Sequence, residues 1–133
     1  MAVDYGARRI GIAVSDSGTI ATPHSVLRNE GDAVEALAAL ALQLGAETIV
    51  LGVPRRAASS SGEAKFRELA ERLRQKTCKP VVLWDEALTT VEAAERLRAG
   101  GRRRRDAQRD IDMHAAAVIL QSYLDERAAG RAS

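Results

Sequence analysis

The chain has 133 residues, of which 46% are hydrophobic and only 3% aromatic, and it carries a formal net charge of +2 with a pI of about 9.0. This fits one globular domain, and no apolar run approaches the roughly 18 residues needed to cross a membrane. The single cysteine, Cys78, excludes an internal disulfide and a cysteine-built zinc site, and its thiol is expected to be partly buried. Because no signal peptide opens the chain, we expect it to be cytoplasmic, with no membrane partner.

The first 22 residues predict three antiparallel strands. An apolar pair leads to Asp4, and after Gly6 a second apolar run over residues 9–15 completes a hairpin. Residues 19–22 predict a short third strand that ends at Pro23, and residues 23–31 are expected to be irregular, with Val26-Leu27 as a possible extension of the sheet. Asp4 at the mouth of the hairpin has two interpretations: a metal ligand, or a residue that caps the turn through backbone amides.

After residue 31 the chain alternates helices with buried strands. Helices are predicted over 33–44 and 62–76, each preceded by a capping-box spacing, and strands over 48–53 and 81–84. A short helix over 91–98 follows, and a last helix starts at about 106 or 109 and ends at about 128. The order is βββαβαβαα, which predicts an α/β fold with a five-stranded mixed sheet flanked by helices. Residues 1–128 are expected to form a single domain, and 129–133 a frayed tail.

Four carboxylates are predicted at one edge of this sheet. Asp4 ends the first strand, Asp85 and Glu86 end the fifth, and Asp112 lies on the inward stripe of the last helix. Binding sites in open α/β sheets form at the carboxyl ends of strands. Clustered carboxylates would repel one another unless a metal ion neutralised them, and oxygen ligands favour Mg²⁺ or Mn²⁺. Such ions can activate water and stabilise the leaving oxygen of a phosphodiester.

Positive charge collects in three clusters of arginine. A guanidinium fork binds phosphate bidentately, so these clusters favour nucleic acid as the partner. The run at 102–105 is equally compatible with a solvated linker. The candidate nucleic-acid-binding residues are Arg8, Arg9, Arg55, Arg56, Arg102, Arg103, Arg104 and Arg105.

Three further polar residues close to the carboxylates have simpler interpretations. His114 is two positions from Asp112, and we interpret it as a residue of the surface or core edge, with a general base as the alternative. Thr89 and Thr90 are interpreted as helix caps and not as catalytic groups.

The motifs and their order resemble the YqgF/RuvX family, whose members are described as Holliday junction resolvases or pre-16S rRNA nucleases. The resemblance covers nearly the whole chain and implies an RNase H-like fold and a divalent-metal phosphodiesterase acting on DNA junctions or RNA. It implies Asp4, Glu86 and Asp112 as catalytic residues, with Asp85 assisting or replacing Glu86 as a metal ligand. The matching segments are Asp4-Tyr5-Gly6, 9–13, Ser15-Asp16, Ala21 with Pro23, Val50 and Gly52 with Pro54, Asp85-Glu86 with 88–90, and, in the last helix, Ile111-Asp112, Ala115-Ala116, 119–121 and Tyr123-Leu124.

Two departures from the family pattern leave other functions open. The family has arginine after the Asp-Glu pair where this chain has Ala87, and the loop over 55–62 lacks the usual Asp-Gly-Ser-like turn. The first alternative is therefore a binding protein that recognises branched DNA or rRNA with little catalysis. A second, based on the Asp-x-Gly hairpin at residues 4–6, is an actin-like or sugar-kinase-like ATPase fragment, in which such a hairpin holds phosphates; the chain length and the lack of a Walker-type loop disfavour it. A resolvase would also need a homodimer to cut two strands symmetrically.

Overall fold

A computed structural model describes residues 1–54, 60–85 and 107–130, without the side chains of 60, 61 and 107–112. The predicted helix over 91–98 and most of the predicted frayed tail lie outside these ranges. In the part of the chain that the structure covers, no helix is long and apolar enough to span a membrane. The elements are β1 (Ala2–Tyr5), β2 (Arg9–Val14), β3 (Thr22–Arg28), α1 (Ala33–Leu44), β4 (Ile49–Val53), α2 (Ser60–Thr77), β5 (Val81–Asp85) and α3 (Ala107–Ala128).

The five strands form one mixed sheet in the order β3-β2-β1-β4-β5. The first three strands are an antiparallel meander, whereas β1, β4 and β5 run parallel to one another. The parallel strands are linked by α1 and α2, as βαβ crossovers require. The predicted mixed five-stranded sheet is confirmed, and the carboxyl end of β1 lies at the same edge as those of β4 and β5.

The prediction for the third strand is wrong, because β3 includes most of the segment expected to be irregular. Pro23 lies inside β3 and not at its end. Proline is tolerated there because β3 is an edge strand. The register also shifts at this point: Ala13 of β2 lies opposite Pro23, and Ile12 lies opposite Ser25. His24 is therefore the extra residue of a β-bulge.

The sheet buries different residues on its two faces. On one face, which we call the α1/α2 face, aliphatic side chains pack against α1 and α2. On the other, the α3 face, several alanines together with Val50 and Trp84 pack against α3. The α1/α2 cluster includes Val3, Ile10, Ile12, Leu37, Ile49, Leu51, Phe66 and Leu73. The α3 cluster includes Ala2, Ala13, Ala21, Val50, Trp84, Ala116, Ala117, Ile119 and Tyr123.

The ends of α1 follow the predicted capping pattern. The Asp32 carboxylate accepts a hydrogen bond of 3.1 Å from the backbone N–H of Glu35, and Gly45 ends the helix in a left-handed conformation with φ of 67°. The Glu35 carboxylate accepts a hydrogen bond from Lys76 of α2. This bond and the negative charge of Glu35 raise the pKa of Lys76 above its ordinary value. The ion pair thus joins the two helices that cover one face.

The expectation that Cys78 is partly buried is wrong. The thiol is exposed, and the residue follows the last turn of α2 with a left-handed φ of 57°. Its backbone N–H bonds to the carbonyl of Arg74 at 2.8 Å and so ends the helix. Cys78 therefore serves as a helix-ending residue at a position where glycine is the common choice.

Candidate active site

Asp4 lies at the carboxyl end of the central strand, and its side chain is half-buried. Because side chains alternate along a strand, Asp4 shares the α3 face with Ala2. Its cross-strand neighbours are Gly11 on β2 and Gly52 on β4. Both neighbours lack a side chain, so the strands on either side of the carboxylate add no bulk to this face. Both glycines are buried, and Ile119 of α3 occupies the space over Gly52.

Helix α3 approaches the sheet closely beside Asp4. The Cδ1 atom of Ile119 lies 2.5 Å from the point that a Cβ atom on residue 52 would occupy. With a larger residue at position 52, the Ile119 side chain would have to shift. Leu120 and Leu124 line a cavity together with Met1, so the second half of α3 runs toward the amino end of β1. The first half consequently extends toward the edge that holds Asp4.

Asp112 belongs to this first half of α3. It lies seven residues before Ile119, which is close to two helical turns, so both positions occupy one stripe of the helix. The sequence predicted this stripe correctly in placing Ile119 and Tyr123 on it, since both are buried. The side chain of Asp112 is outside the described part of the chain, and its role remains a prediction.

Asp85 lies on the sheet face opposite to Asp4. It is the last residue of β5 and is exposed. Leu83 packs with the α1/α2 cluster, whereas Trp84 packs with the α3 cluster. By alternation, Asp85 belongs with Leu83. The structure therefore does not bring Asp4 and Asp85 together on one face, and Glu86 lies outside the described residues.

The turn between β1 and β2 is held by a residue that sequence reasoning missed. Asn29 follows β3, and its side-chain amide donates a 2.8 Å hydrogen bond to the carbonyl of Gly6. Its backbone N–H donates to the carbonyl of Arg8 at 2.8 Å, and its Oδ1 accepts from the Tyr5 hydroxyl at 3.4 Å. An asparagine after a strand and before a glycine is the signal that could have identified it.

Gly6 has a steric role in this turn. Its N–H donates to the carbonyl of Arg9 at 3.0 Å, and a Cβ atom on residue 6 would lie 2.5 Å from that same oxygen. Since the oxygen belongs to the backbone, it cannot move aside without opening the turn. Gly6 is thus needed for space at the end of the strand that carries Asp4.

The arginine clusters are described only in part. Arg8 and Arg9 are exposed beside the turn, and Arg9 pairs across the sheet with Arg28 of β3, which sequence reasoning missed. Arg9 lies two residues before Gly11 on β2, so it shares the α3 face with Asp4. The predicted contacts from Arg55, Arg56 and the run at 102–105 lie outside the described residues, as do Thr89 and Thr90.

The described residues supply one carboxylate that fits the predicted metal site. Across 1–54, 60–85 and 107–130, no three histidine, cysteine, aspartate or glutamate side chains are close enough together to hold a metal ion. Of the four predicted ligands, only Asp4 and Asp85 have described side chains. Asp4, a half-buried oxygen donor on an open strand end, has the chemistry that Mg²⁺ or Mn²⁺ requires. His114 is half-buried on α3 and has at least one interaction partner.

Comparison with known proteins relates the chain to nucleases. Residues 1–126 match the family model described as RuvX, Holliday junction resolvase. A Mycobacterium tuberculosis protein named "Putative pre-16S rRNA nuclease" is 44% identical over 138 residues, which cover 99% of this chain and 81% of that protein. A Mycolicibacterium paratuberculosis protein of the same name is 42% identical over 135 residues, covering 97% and 81%.

A solved structure confirms the fold that the family resemblance implied. Thermus thermophilus RuvC, solved in complex with a Holliday junction substrate, superposes with a TM-score of 0.67. The match covers 98% of this chain and 95% of that one, at 13% sequence identity. At that identity the likeness shows the fold alone, which is RNase H-like.

Proposed function

The chain belongs to the RuvX family, and from this premise we propose that it is a divalent-metal-dependent nuclease whose metal-binding site is organised by Asp4. Its substrate is the phosphodiester backbone of structured or single-stranded nucleic acid, as in a DNA junction or precursor rRNA. The observation that supports this most strongly is the position of Asp4. It is a half-buried carboxylate at the carboxyl end of the central strand, flanked by Gly11 and Gly52.

In this proposal Asp4, Glu86 and Asp112 hold the metal. Glu86 is preferred to Asp85 because Asp85 lies on the sheet face opposite to Asp4. Asp112 is favoured because it occupies the same stripe of α3 as Ile119, which packs beside Asp4 on Gly52. When bound, Mg²⁺ or Mn²⁺ would supply an activated water and neutralise charge at the phosphate.

The chain's own residues position the substrate in this proposal. The backbone that carries Asp4 is fixed by the central strand and by the turn that Asn29 ties to Gly6, so the position of this residue is set before any ligand arrives. Arg9, exposed on the same face, offers a guanidinium to the phosphate oxygens.

A binding protein with little catalysis is the second candidate. Ala87 favours it, because the family has an arginine at that position that would meet the substrate phosphate. In this alternative the fold and the basic surface remain, and the chain recognises branched DNA or rRNA without efficient cleavage. Both candidates use the same face of the sheet, so only an activity measurement separates them.

The test is a panel of a four-way DNA junction, single-stranded DNA and precursor rRNA, each incubated with Mg²⁺, Mn²⁺ or EDTA. The proposal predicts cleavage of at least one substrate with metal, none with EDTA, and none by Asp4→Asn, which still shifts that substrate on a gel. Cleavage by Asp4→Asn at the wild-type rate would show that the proposed site is wrong. Binding by the wild-type protein without cleavage under any metal would favour the second candidate.

A further inference from the structure

The cross-strand pair Arg9 and Arg28 is a charged feature that the proposed mechanism uses only in part. Arg28 is the last residue of β3, and its side chain is 82% exposed. The register places it directly opposite Arg9, the first residue of β2. Opposite residues of an antiparallel pair project from the same face, so both arginines lie on the face that carries Asp4.

Two like charges at directly opposite positions are unfavourable in an isolated sheet. Glu30 lies 3.7 Å from the Arg28 guanidinium, but both side chains are largely exposed, and such a pair contributes little. Arg9 has at least one interaction partner of its own. Arg28, which is largely exposed, can bind an anion on this face beside Arg9.

The backbone beneath the pair is fixed to the strand of Asp4. The N–H of Asn29 continues the ladder beyond Arg28 by bonding to the carbonyl of Arg8, and its side chain bonds to Gly6. The end of β3 and the β1–β2 turn are thus one hydrogen-bonded unit. The two arginines are consequently held at a constant spacing from Asp4, which is what positioning a substrate beside a catalytic group requires.

The spacing suits an extended polyanion. With neighbouring strands about 4.8 Å apart and residues about 3.4 Å apart along a strand, the Cα atoms of Arg9 and Arg28 are roughly 8 and 12 Å from that of Asp4. The cations thus lead away from Asp4 toward the β3 edge. A single small anion bound at Asp4 would contact only the nearer cation, Arg9. A chain of phosphates that continues past the cleavage point would meet both.

We propose that Arg28, together with Arg9, binds the sugar–phosphate backbone of the nucleic acid and guides it from Asp4 toward β3 along the edge of the sheet where β1 ends. This inference rests on the proposed function, because it takes Asp4 as the point of cleavage. It adds Arg28 as a substrate-binding residue and fixes the side of the site on which the strand runs.

The test compares Arg28→Gln with Arg67→Gln in an Asp4→Asn background, so that binding is measured without cleavage. Arg67 is a matched control because it is an exposed arginine that also has an acidic neighbour, Glu63, and it lies on α2, which covers the opposite face. The probe is the substrate that the panel identifies, or single-stranded DNA if nothing is cut, titrated between low and moderate salt. Thermal unfolding of each variant checks that the fold is retained.

We expect Arg28→Gln to weaken binding roughly three- to tenfold and to lower the slope of log K against log salt by about 0.7–0.9, the loss of one phosphate contact. Arg28→Lys should recover most of the slope but only part of the affinity. Equal affinities and slopes for Arg28→Gln and Arg67→Gln would overturn the inference. If the wild-type protein cleaves nothing while Arg28→Gln still lowers the slope, the nuclease proposal fails, and Arg28 is a backbone-binding residue without a cleavage point at Asp4.

Discussion

The two faces of the sheet contrast in the side chains they bury. The α1/α2 face is filled by large aliphatic residues such as Ile10, Ile12 and Leu51, which are fully buried. The α3 face combines alanines with a few large residues such as Trp84 and Tyr123, and it also buries the polar side chains of Gln121 and Ser122. The first face gains stability from apolar area. The second adds close contact between α3 and the sheet and directional hydrogen bonds. It is also the face that holds Asp4.

Directional contacts fix α3 over its face. The Gln121 side chain accepts a 2.9 Å hydrogen bond from the N–H of Ala21 and donates to the carbonyl of Thr19 at 2.9 Å and to Asp125 at 3.0 Å. The indole N–H of Trp84 donates to the Ser122 hydroxyl at 3.3 Å. Hydrogen bonds specify one orientation of a helix, which aliphatic contacts alone do not. The α3 face thus positions its helix through directional contacts, whereas the α1/α2 face contributes mainly to stability.

The largest effect on stability is expected on the α1/α2 face. Ile12→Ala removes a fully buried side chain and should lower the free energy of unfolding by about 2–5 kcal/mol, measured by urea titration. At a temperature where the variant is folded, its cleavage rate should stay close to that of wild type. A folded variant that has lost cleavage would show that the two faces are not separable.

On the α3 face, removing the buried side-chain amide of Gln121 should lower the free energy of unfolding less than Ile12→Ala does, and it should lower the cleavage rate more. Gln121→Ala leaves the buried N–H of Ala21 without its partner, which should cost about 1–3 kcal/mol in urea unfolding. Because α3 loses its anchor to the β2–β3 loop, cleavage should fall further than stability explains. Gln43→Ala, at an exposed position on α1, is the matched control and should change neither. If Gln121→Ala cleaves normally, the anchoring role is wrong.

The close approach of α3 to β4 gives a smaller and more specific effect. In Gly52→Ala the new Cβ would overlap Cδ1 of Ile119, so we expect a loss of about 1–2 kcal/mol from overpacking. Ile119→Val removes that Cδ1 atom, and the double variant should be more stable than the sum of the two single effects predicts. A double-mutant cycle in urea measures this coupling. Additive effects would mean that α3 moves away at no cost.

Local patterns in the sequence were enough to predict most of the fold. Buried runs gave β4 and β5, and capping residues such as Asp32 and Gly45 gave the ends of α1, since these signals act within a few residues. The bounds of β3 could not be predicted in the same way. Pro23 is a strand breaker unless the strand is at an edge and bulged, and both conditions depend on pairing with β2.

In the candidate site, too, the sequence identified residues by their local position and missed residues that depend on distant partners. Asp4 was identified from its position at the end of a strand. Arg28 and Asn29 were missed because their importance comes from partners about 20 residues away in the chain, Arg9 and Gly6. Asp85 was grouped with Asp4 because both were predicted at the same edge of the sheet, without regard to which face each residue lies on. The alternation of side chains along β5, which the sequence contains, would have separated them.

The central claim is that catalysis belongs to the α3 face, and the most direct test compares Asp4→Asn with Asp85→Asn. Both variants remove one negative charge at the same edge of the sheet, but on opposite faces. In single-turnover cleavage with saturating Mg²⁺ or Mn²⁺, Asp4→Asn should be slower than wild type by at least about 100-fold with its substrate affinity retained. Asp85→Asn should remain within about tenfold of wild type. Equal losses in the two variants, or a larger loss in Asp85→Asn, would contradict the account.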